Sequence, residues 1–134
     1  MKKILFLLLL LNFSSCCFSQ DIDFYNLYFE GNALLSKGQN DKAIEKYNQA
    51  IKLFPSADYV FFNRGNAYFK KKDFANALID YNKTLKMNTD YAEAYFQRGL
   101  TKISLADKTC CDDFKKAEKL KLEGSKEAFK QNCK

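Results

Sequence analysis

Apolar residues fall into two patterns along the chain. Behind Met1-Lys2-Lys3 stands an unbroken run, Ile4 to Leu11, after which the chain turns small and polar up to Gln20. From residue 24 onward the apolar positions are instead periodic. Gly31, Gly65 and Gly99 share one column, Leu27, Phe61 and Tyr95 a second, and Tyr28, Phe62 and Phe96 a third. Arg64 and Arg98, Ala43 and Ala77, and Tyr47 and Tyr81 keep the same spacing. Several columns in phase, with matching residue types, define an internal repeat, and a fixed period outranks local propensity in setting the fold.

Three units follow, at 24–57, 58–91 and 92–123. Helix ends are marked by Gly38 after the first helix, Asn40 or Asp41 before the second and Pro55 behind it. Later marks are Asp73, Thr89 or Asp90, and Gly124-Ser125. The marks predict an all-α chain of six helices and a terminal seventh. That seventh carries Ala128 and Phe129 on one side and Lys126, Glu127, Lys130 and Gln131 elsewhere, the make-up of a helix that caps the last apolar face.

The columns resemble the tetratricopeptide repeat family, whose pattern is a large apolar residue, Gly, an aromatic, then Ala, an aromatic and Pro. The first unit matches at Leu27, Gly31, Leu34, Ala43, Tyr47, Ala50 and Pro55. The second matches at Phe61, Gly65, Tyr68, Ala77 and Tyr81, with Thr84 where Ala is common and Thr89 in place of Pro. The third keeps Tyr95, Gly99 and Ala117 but has Lys102 in the aromatic column and one residue fewer between Gly99 and Phe114. The resemblance implies a superhelical array of three helical hairpins, preceded by a short lead at 20–23 and closed by a capping helix at 124–134. Within each hairpin the helix A glycine admits helix B, with Ala43 and Ala77 as small partners across the contact. Tyr47 and Tyr81 are expected to fill the wider space between successive hairpins.

The basic start and short apolar run have the form of a secretory signal peptide over residues 1–19. The run is too short to span a bilayer core, which takes about 20 apolar residues. Cys17-Phe18-Ser19 places small residues at minus three and minus one before Gln20, which suits cleavage there. Phe13-Ser14-Ser15-Cys16 is similar to a bacterial lipobox with Phe in the aliphatic position, so lipidation of Cys16, or of Cys17, is the alternative. The chain resembles small exported tetratricopeptide repeat proteins of Bacteroidetes. That resemblance implies a periplasmic or secreted protein, or a membrane-anchored lipoprotein.

Composition narrows the chemistry. With 134 residues, 47% of them hydrophobic, the chain can bury one ordinary core. It has no His and no Trp, which excludes imidazole bases, Ser/His/Asp triads and His-ligated zinc. The formal charge of +6 includes Lys2 and Lys3; without them 20 basic residues face 16 acidic ones, too small an excess to argue for nucleic acid. Lys70-Lys71-Lys72 fits a wet turn, and Lys115, Lys116, Lys119, Lys121, Lys126, Lys130 and Lys134 fit the solvated outside of the cap. Asp80, Asp112 and Asp113 are the carboxylates an acid–base enzyme would use, but solvated caps and helix faces account for them. No enzyme activity, cofactor or metal is expected.

Removal of residues 1–19 leaves Cys110, Cys111 and Cys133. If the last two helices form an antiparallel hairpin turning near Glu123-Gly124, Cys111 and Cys133 lie at similar distances from the turn, one before it and one after. A disulfide between them is expected, with Cys110 to Cys133 as the alternative, and the endings of the exported proteins named above support the same pairing. Closing such a loop stabilises by roughly 3 kcal/mol in the chain-entropy model. Three sulfurs without a His or a CxxC spacing make a poor metal or redox motif.

The family resemblance places the A helices on a concave wall that commonly takes a peptide. The candidate groove residues are Tyr28, Phe62 and Phe96, one per unit, with the amides Asn32, Asn63, Asn66 and Gln97 beside them, and Tyr25 and Tyr59 extending the row. Modules that hold the acidic C-terminus of a cytosolic chaperone resemble one another in a clamp of Lys, two Asn, Lys and Arg. Here Asn32 and Asn63 fall in the Asn columns, but Tyr28, Glu93 and Gln97 replace the cations. The resemblance therefore implies a ligand held by apolar and backbone contacts. The expected function is a non-enzymatic protein or peptide-binding module of the cell envelope. The alternative is a structural accessory subunit that uses its convex face or cap; a second copy could also stack end to end.

Overall fold

The computed structural model describes residues 20–133, so the expectations for residues 1–19, including Cys16, lie outside the described part. Seven helices are described: α1 over 20–36, α2 (Asn40–Leu53), α3 (Asp58–Lys70), α4 (Phe74–Met87), α5 (Ala92–Ser104), α6 (Cys110–Lys119) and α7 (Ser125–Asn132). Residues 20–23, set apart as a lead, are helical and continuous with α1. From α2 onward each helix packs on the next, and α3 also touches α5. The architecture is all-α, sequential hairpins wound as a superhelix, as the period implies. Among the described residues no helix is long and apolar enough to cross a membrane.

The hairpin contacts differ from the small-against-small packing expected. A Cβ on Gly31 would stand 2.6 Å from the Tyr47 ring, one on Gly65 2.8 Å from Tyr81, and one on Gly99 2.8 Å from Phe114. Each glycine thus receives a ring from the partner helix, and all three rings are fully buried. Tyr47 and Tyr81 therefore pack into their own hairpins, and Tyr47 also belongs to a core cluster that takes in Val60 and Ala67 of the next. Phe114 packs into its own hairpin as well, although the third unit is one residue short. The loss falls between Asp107 and Phe114, where α6 starts only at Cys110.

The turns inside the hairpins repeat as well. Gly38, Lys72 and Ala106 share one column of the repeat, and all three have left-handed φ, at 72°, 61° and 56°. In each, the next residue's N–H reaches back to the helix, from Gln39 to Leu34, Asp73 to Tyr68 and Asp107 to Lys102, at 2.8–2.9 Å. This helix-ending motif satisfies otherwise orphan carbonyls and favours glycine, yet only the first copy has one. Of the expected caps, Asp73 accepts from the Asn76 N–H at 3.2 Å. Asn40 and Asp41 lie within α2 after an uncapped Gln39, and α5 follows Tyr91, not Thr89 or Asp90.

Two carboxylates read as solvated are buried. Asp80 and Asp113 are each 2% exposed. The Arg64 guanidinium donates to both oxygens of Asp80, at 2.7 and 2.8 Å, and to Asn48 on the preceding hairpin at 2.5 Å. One period later Arg98 does the same to Asp113 and Asn82, and Lys102 adds a second cation 2.8 Å from Asp113. Bidentate guanidinium pairing offsets the desolvation of such a carboxylate. Each arginine thereby ties its own hairpin to the one before it, and Lys102 in the aromatic column has its reason.

At the C-terminal end Cys111 and Cys133 form a disulfide with Cα atoms 5.7 Å apart, the expected pairing, and Cys110 remains a free, buried thiol. The clip joins the first turn of α6 to the residue behind α7. The lysines of the cap among the described residues are exposed except Lys116, which is half-buried with its Nζ 5.7 Å from the Tyr95 ring centroid.

Candidate functional site

The expected groove residues all lie on the A helices: Tyr28 and Asn32 on α1, Phe62, Asn63 and Asn66 on α3, and Phe96 and Gln97 on α5. The direct contact of α3 with α5 makes these helices neighbours along one wall. All seven side chains are half-buried, with part of each facing out.

The three rings form the floor of this wall. Each leans on the ring buried in its own hairpin: Tyr28 on Tyr47 at 6.5 Å, Phe62 on Tyr81 at 5.9 Å and Phe96 on Phe114 at 5.7 Å between centroids. Tyr28 also meets Tyr59 of the next unit edge-on at 4.9 Å, and Phe62 meets Tyr91, the residue just before α5, at 4.8 Å, so the floor continues along the row. Packing of this kind fixes the rings and removes the entropy cost a mobile ring would carry on binding.

The amides divide into engaged and open atoms. Tyr47 donates to Asn32 Oδ1 at 2.7 Å, and Asn63 Nδ2 donates to the same oxygen at 3.0 Å and to Tyr28 Oη at 3.1 Å. Tyr81 donates to Asn66 Oδ1 at 2.8 Å. Among the described residues, the amide hydrogens of Asn32 and Asn66 and the oxygen of Asn63 have no side-chain partner. A peptide backbone offers the complementary carbonyl and N–H.

Sequence reasoning named Tyr25 but missed Phe29, the most exposed ring of the wall. Phe29 is 62% exposed and Tyr25 51%, and the two rings stack at 6.4 Å. Phe29 falls one period before Asn63, in a column that holds amides in the other units, and that register was the available signal. Beside them a cleft of about 160 Å³ is lined by Asp21, Phe24, Tyr25, Phe54, Ser56, Ala57 and Tyr59. Burial, followed by the charges of Glu93, Asp58 and Tyr28, pushes the Tyr91 hydroxyl up to about 12. Burial raises Tyr59 as well, with Tyr25, Tyr28 and Asp58 adding to it. Cys111 and Cys133 take no part in the wall; they lie at the far end of the chain.

A model described as a TPR repeat matches residues 31–72, and one described as a tetratricopeptide repeat matches residues 59–91. The shortened third unit lies beyond both. Among solved structures the chain is similar to the first TPR of Spaghetti (RPAP3) bound to the HSP90 peptide SRMEEVD. It is 26% identical to that domain, with a TM-score of 0.78, over 81% of this chain and 89% of the other. The Arabidopsis OM64 TPR domain is 26% identical, with a TM-score of 0.78 over 82% and 93%. The first TPR domain of human RPAP3 is 26% identical, with a TM-score of 0.76 over 81% and 87%. No curated protein matches the chain.

Proposed function

We propose, from the tetratricopeptide repeat matches over residues 31–91, that the chain is a non-enzymatic binding module that takes an extended peptide or protein segment along its A-helix wall. The observation that carries this reading is the fixed row of Tyr28, Phe62 and Phe96 with unengaged amide atoms of Asn32, Asn63 and Asn66 beside it. The similar fold of the first TPR of Spaghetti holds the peptide SRMEEVD. This wall suits a different ligand. Tyr28, Glu93 and Gln97 supply no cation for a terminal carboxylate, and Glu93 repels one. The carboxylates that could have served as acid and base, Asp80 and Asp113, are held by Arg64 and Arg98 instead.

We further infer that the module works in a bacterial cell envelope, exported by residues 1–19 and released before Gln20, or anchored through Cys16. Support comes from the sequence of that segment and from a disulfide that an oxidising compartment maintains. Intact mass of protein from its native source separates a chain beginning at Gln20 from one carrying acyl groups on Cys16 or Cys17.

The binding reading is tested by passing envelope extract over the wild-type protein, a Phe62→Ala/Gln97→Ala variant and an Ile79→Ser variant. Ile79 is 63% exposed on the B helix α4 and away from the wall. A partner kept by wild type and the Ile79 variant but lost by the groove variant supports the reading. Loss only with the Ile79 change assigns the contact to the convex face, as a structural subunit would use it. The peptide SRMEEVD is expected to bind no better than a scrambled one.

A further inference from the structure

We propose that Cys110, Cys111 and Cys133 form a binding site for one Cu(I) ion, closed by the Cys111–Cys133 disulfide and opened by its reduction. The three Sγ atoms lie within 4.8 Å of one another, with Cys110 and Cys111 at 3.8 Å. Thiolates at about 2.3 Å from a trigonally bound ion stand about 4 Å apart, so Cys110 and Cys111 already have that spacing, and reduction frees Cys133 to move out to it. Sequence spacing argued against a site because no linear motif is present. The fold supplies the convergence instead: the late start of α6 places two sulfurs in its first turn, and the Gly124 turn returns α7 so that Cys133 meets them.

The donor set selects the ion. Three sulfurs form this cluster with no imidazole or carboxylate among the described residues that joins it. Zinc in structural sites takes four ligands, whereas soft thiolates favour Cu(I), which is satisfied by three. Cys110 is buried at 5% exposure and keeps its thiol in either redox state, while the half-buried Cys111 and Cys133 remain within reach of a reductant. An external dithiol supplies two electrons and two protons, is itself oxidised to a disulfide, and leaves Cys111 and Cys133 as thiols. Cu(I) then displaces the three thiol protons to solvent without changing oxidation state. The hairpin of α6 and α7 is clipped in both states, by a covalent bond in one and by the metal in the other.

The test uses the full chain with Cys16→Ser and Cys17→Ser, reduced anaerobically with a phosphine and titrated with Cu(I) against a chromophoric Cu(I) chelator. One Cu(I) per chain is expected by native mass spectrometry, with helical circular dichroism unchanged, and the oxidised protein should take none. Cys110→Ser, which leaves the disulfide intact, should weaken binding in the reduced protein at least tenfold. Equal affinity in that variant would reduce the site to two thiols and overturn the proposal. So would binding by the oxidised protein, no binding by the reduced one, or loss of helix on reduction.

Discussion

The Tyr81 hydroxyl donates to Asn66 Oδ1 at 2.8 Å, and the same bond joins Tyr47 to Asn32 one period earlier at 2.7 Å. One period later both columns change together, to Phe114 and Leu100. The tyrosine and the asparagine therefore form a unit: a buried ring whose hydroxyl needs an acceptor, or a phenyl ring that needs none. Tyr81→Phe alone should cost about 1 kcal/mol, and Asn66→Leu alone about 1–3 kcal/mol because it strands a buried hydroxyl. The double change reproduces the third unit and should come close to neutral. Urea unfolding of the three variants measures the coupling, and additive losses would refute it.

Alkali should unfold this protein through the same rings. Burial raises the hydroxyls of Tyr47 and Tyr81, reinforced by Tyr28 and by Asp80 respectively, and Tyr91 is raised to about 12. An acid whose folded value lies above its unfolded one lends stability that is complete below the unfolded value, near pH 10. That stability drains as the pH climbs through the folded values. The urea midpoint should fall steeply above about pH 10 and less steeply in Tyr47→Phe/Tyr81→Phe. Equal slopes would assign the loss to lysines.

The glycine columns make a packing prediction in which two effects oppose. Gly65→Ala gains about 1 kcal/mol of helix propensity. Its Cβ, however, would stand 2.8 and 3.0 Å from the Tyr81 ring and 3.3 Å from Asp80 Cβ, and both side chains are buried and bonded. Overpacking of about 1–3 kcal/mol should win. A lower melting temperature with unchanged helix content is the expected result.

How much of this was legible follows from what a period reports. Columns in phase at a fixed step identified the repeats, the A-helix wall and the all-α architecture, since identical spacing forces identical packing. Contacts between columns are a different matter. Arg64 with Asp80 spans 16 residues and Arg98 with Asp113 spans 15, so the one-residue loss in the third unit took the second acid out of register. Without that register both acids looked like solvent-facing charges. The rings on the glycines escaped notice for a related reason: residue size in a column does not say which column faces it. The disulfide was legible because hairpin arithmetic places two ends opposite each other whatever the side-chain detail.

The left-handed turns show a place where the chain is not optimised. Lys72 and Ala106 occupy the conformation that Gly38 adopts in the first unit, and both are exposed. A residue with a Cβ pays about 1–2 kcal/mol there, and glycine recovers this less its extra freedom in the unfolded chain. Ala106→Gly and Lys72→Gly should each stabilise by about 0.5–1 kcal/mol, and Gly38→Ala should destabilise comparably. Thermal unfolding of the three decides it; a destabilised Ala106→Gly would mean that the turn carries no strain.

The first unit also repeats the arginine–aspartate pair with its charges exchanged. Glu30 stands one period before Arg64 and Lys46 one period before Asp80, and the two meet at 2.6 Å. Location explains why this reversal is tolerated. Asp80 is 2% exposed and receives both arms of a guanidinium that also holds the preceding hairpin, whereas the Glu30 side chain is 56% exposed. An exposed pair contributes under about 1 kcal/mol, but removing one member of a buried pair leaves an uncompensated charge and costs about 3–5 kcal/mol. Asp80→Ala should therefore approach the whole stability of a small array, while Glu30→Ala should scarcely register. The Asp80→Ala/Arg64→Met double variant should recover most of the loss, because the stranded guanidinium leaves with its partner. Failure to recover would locate the cost in the bond from Arg64 to Asn48, and so in the coupling between hairpins.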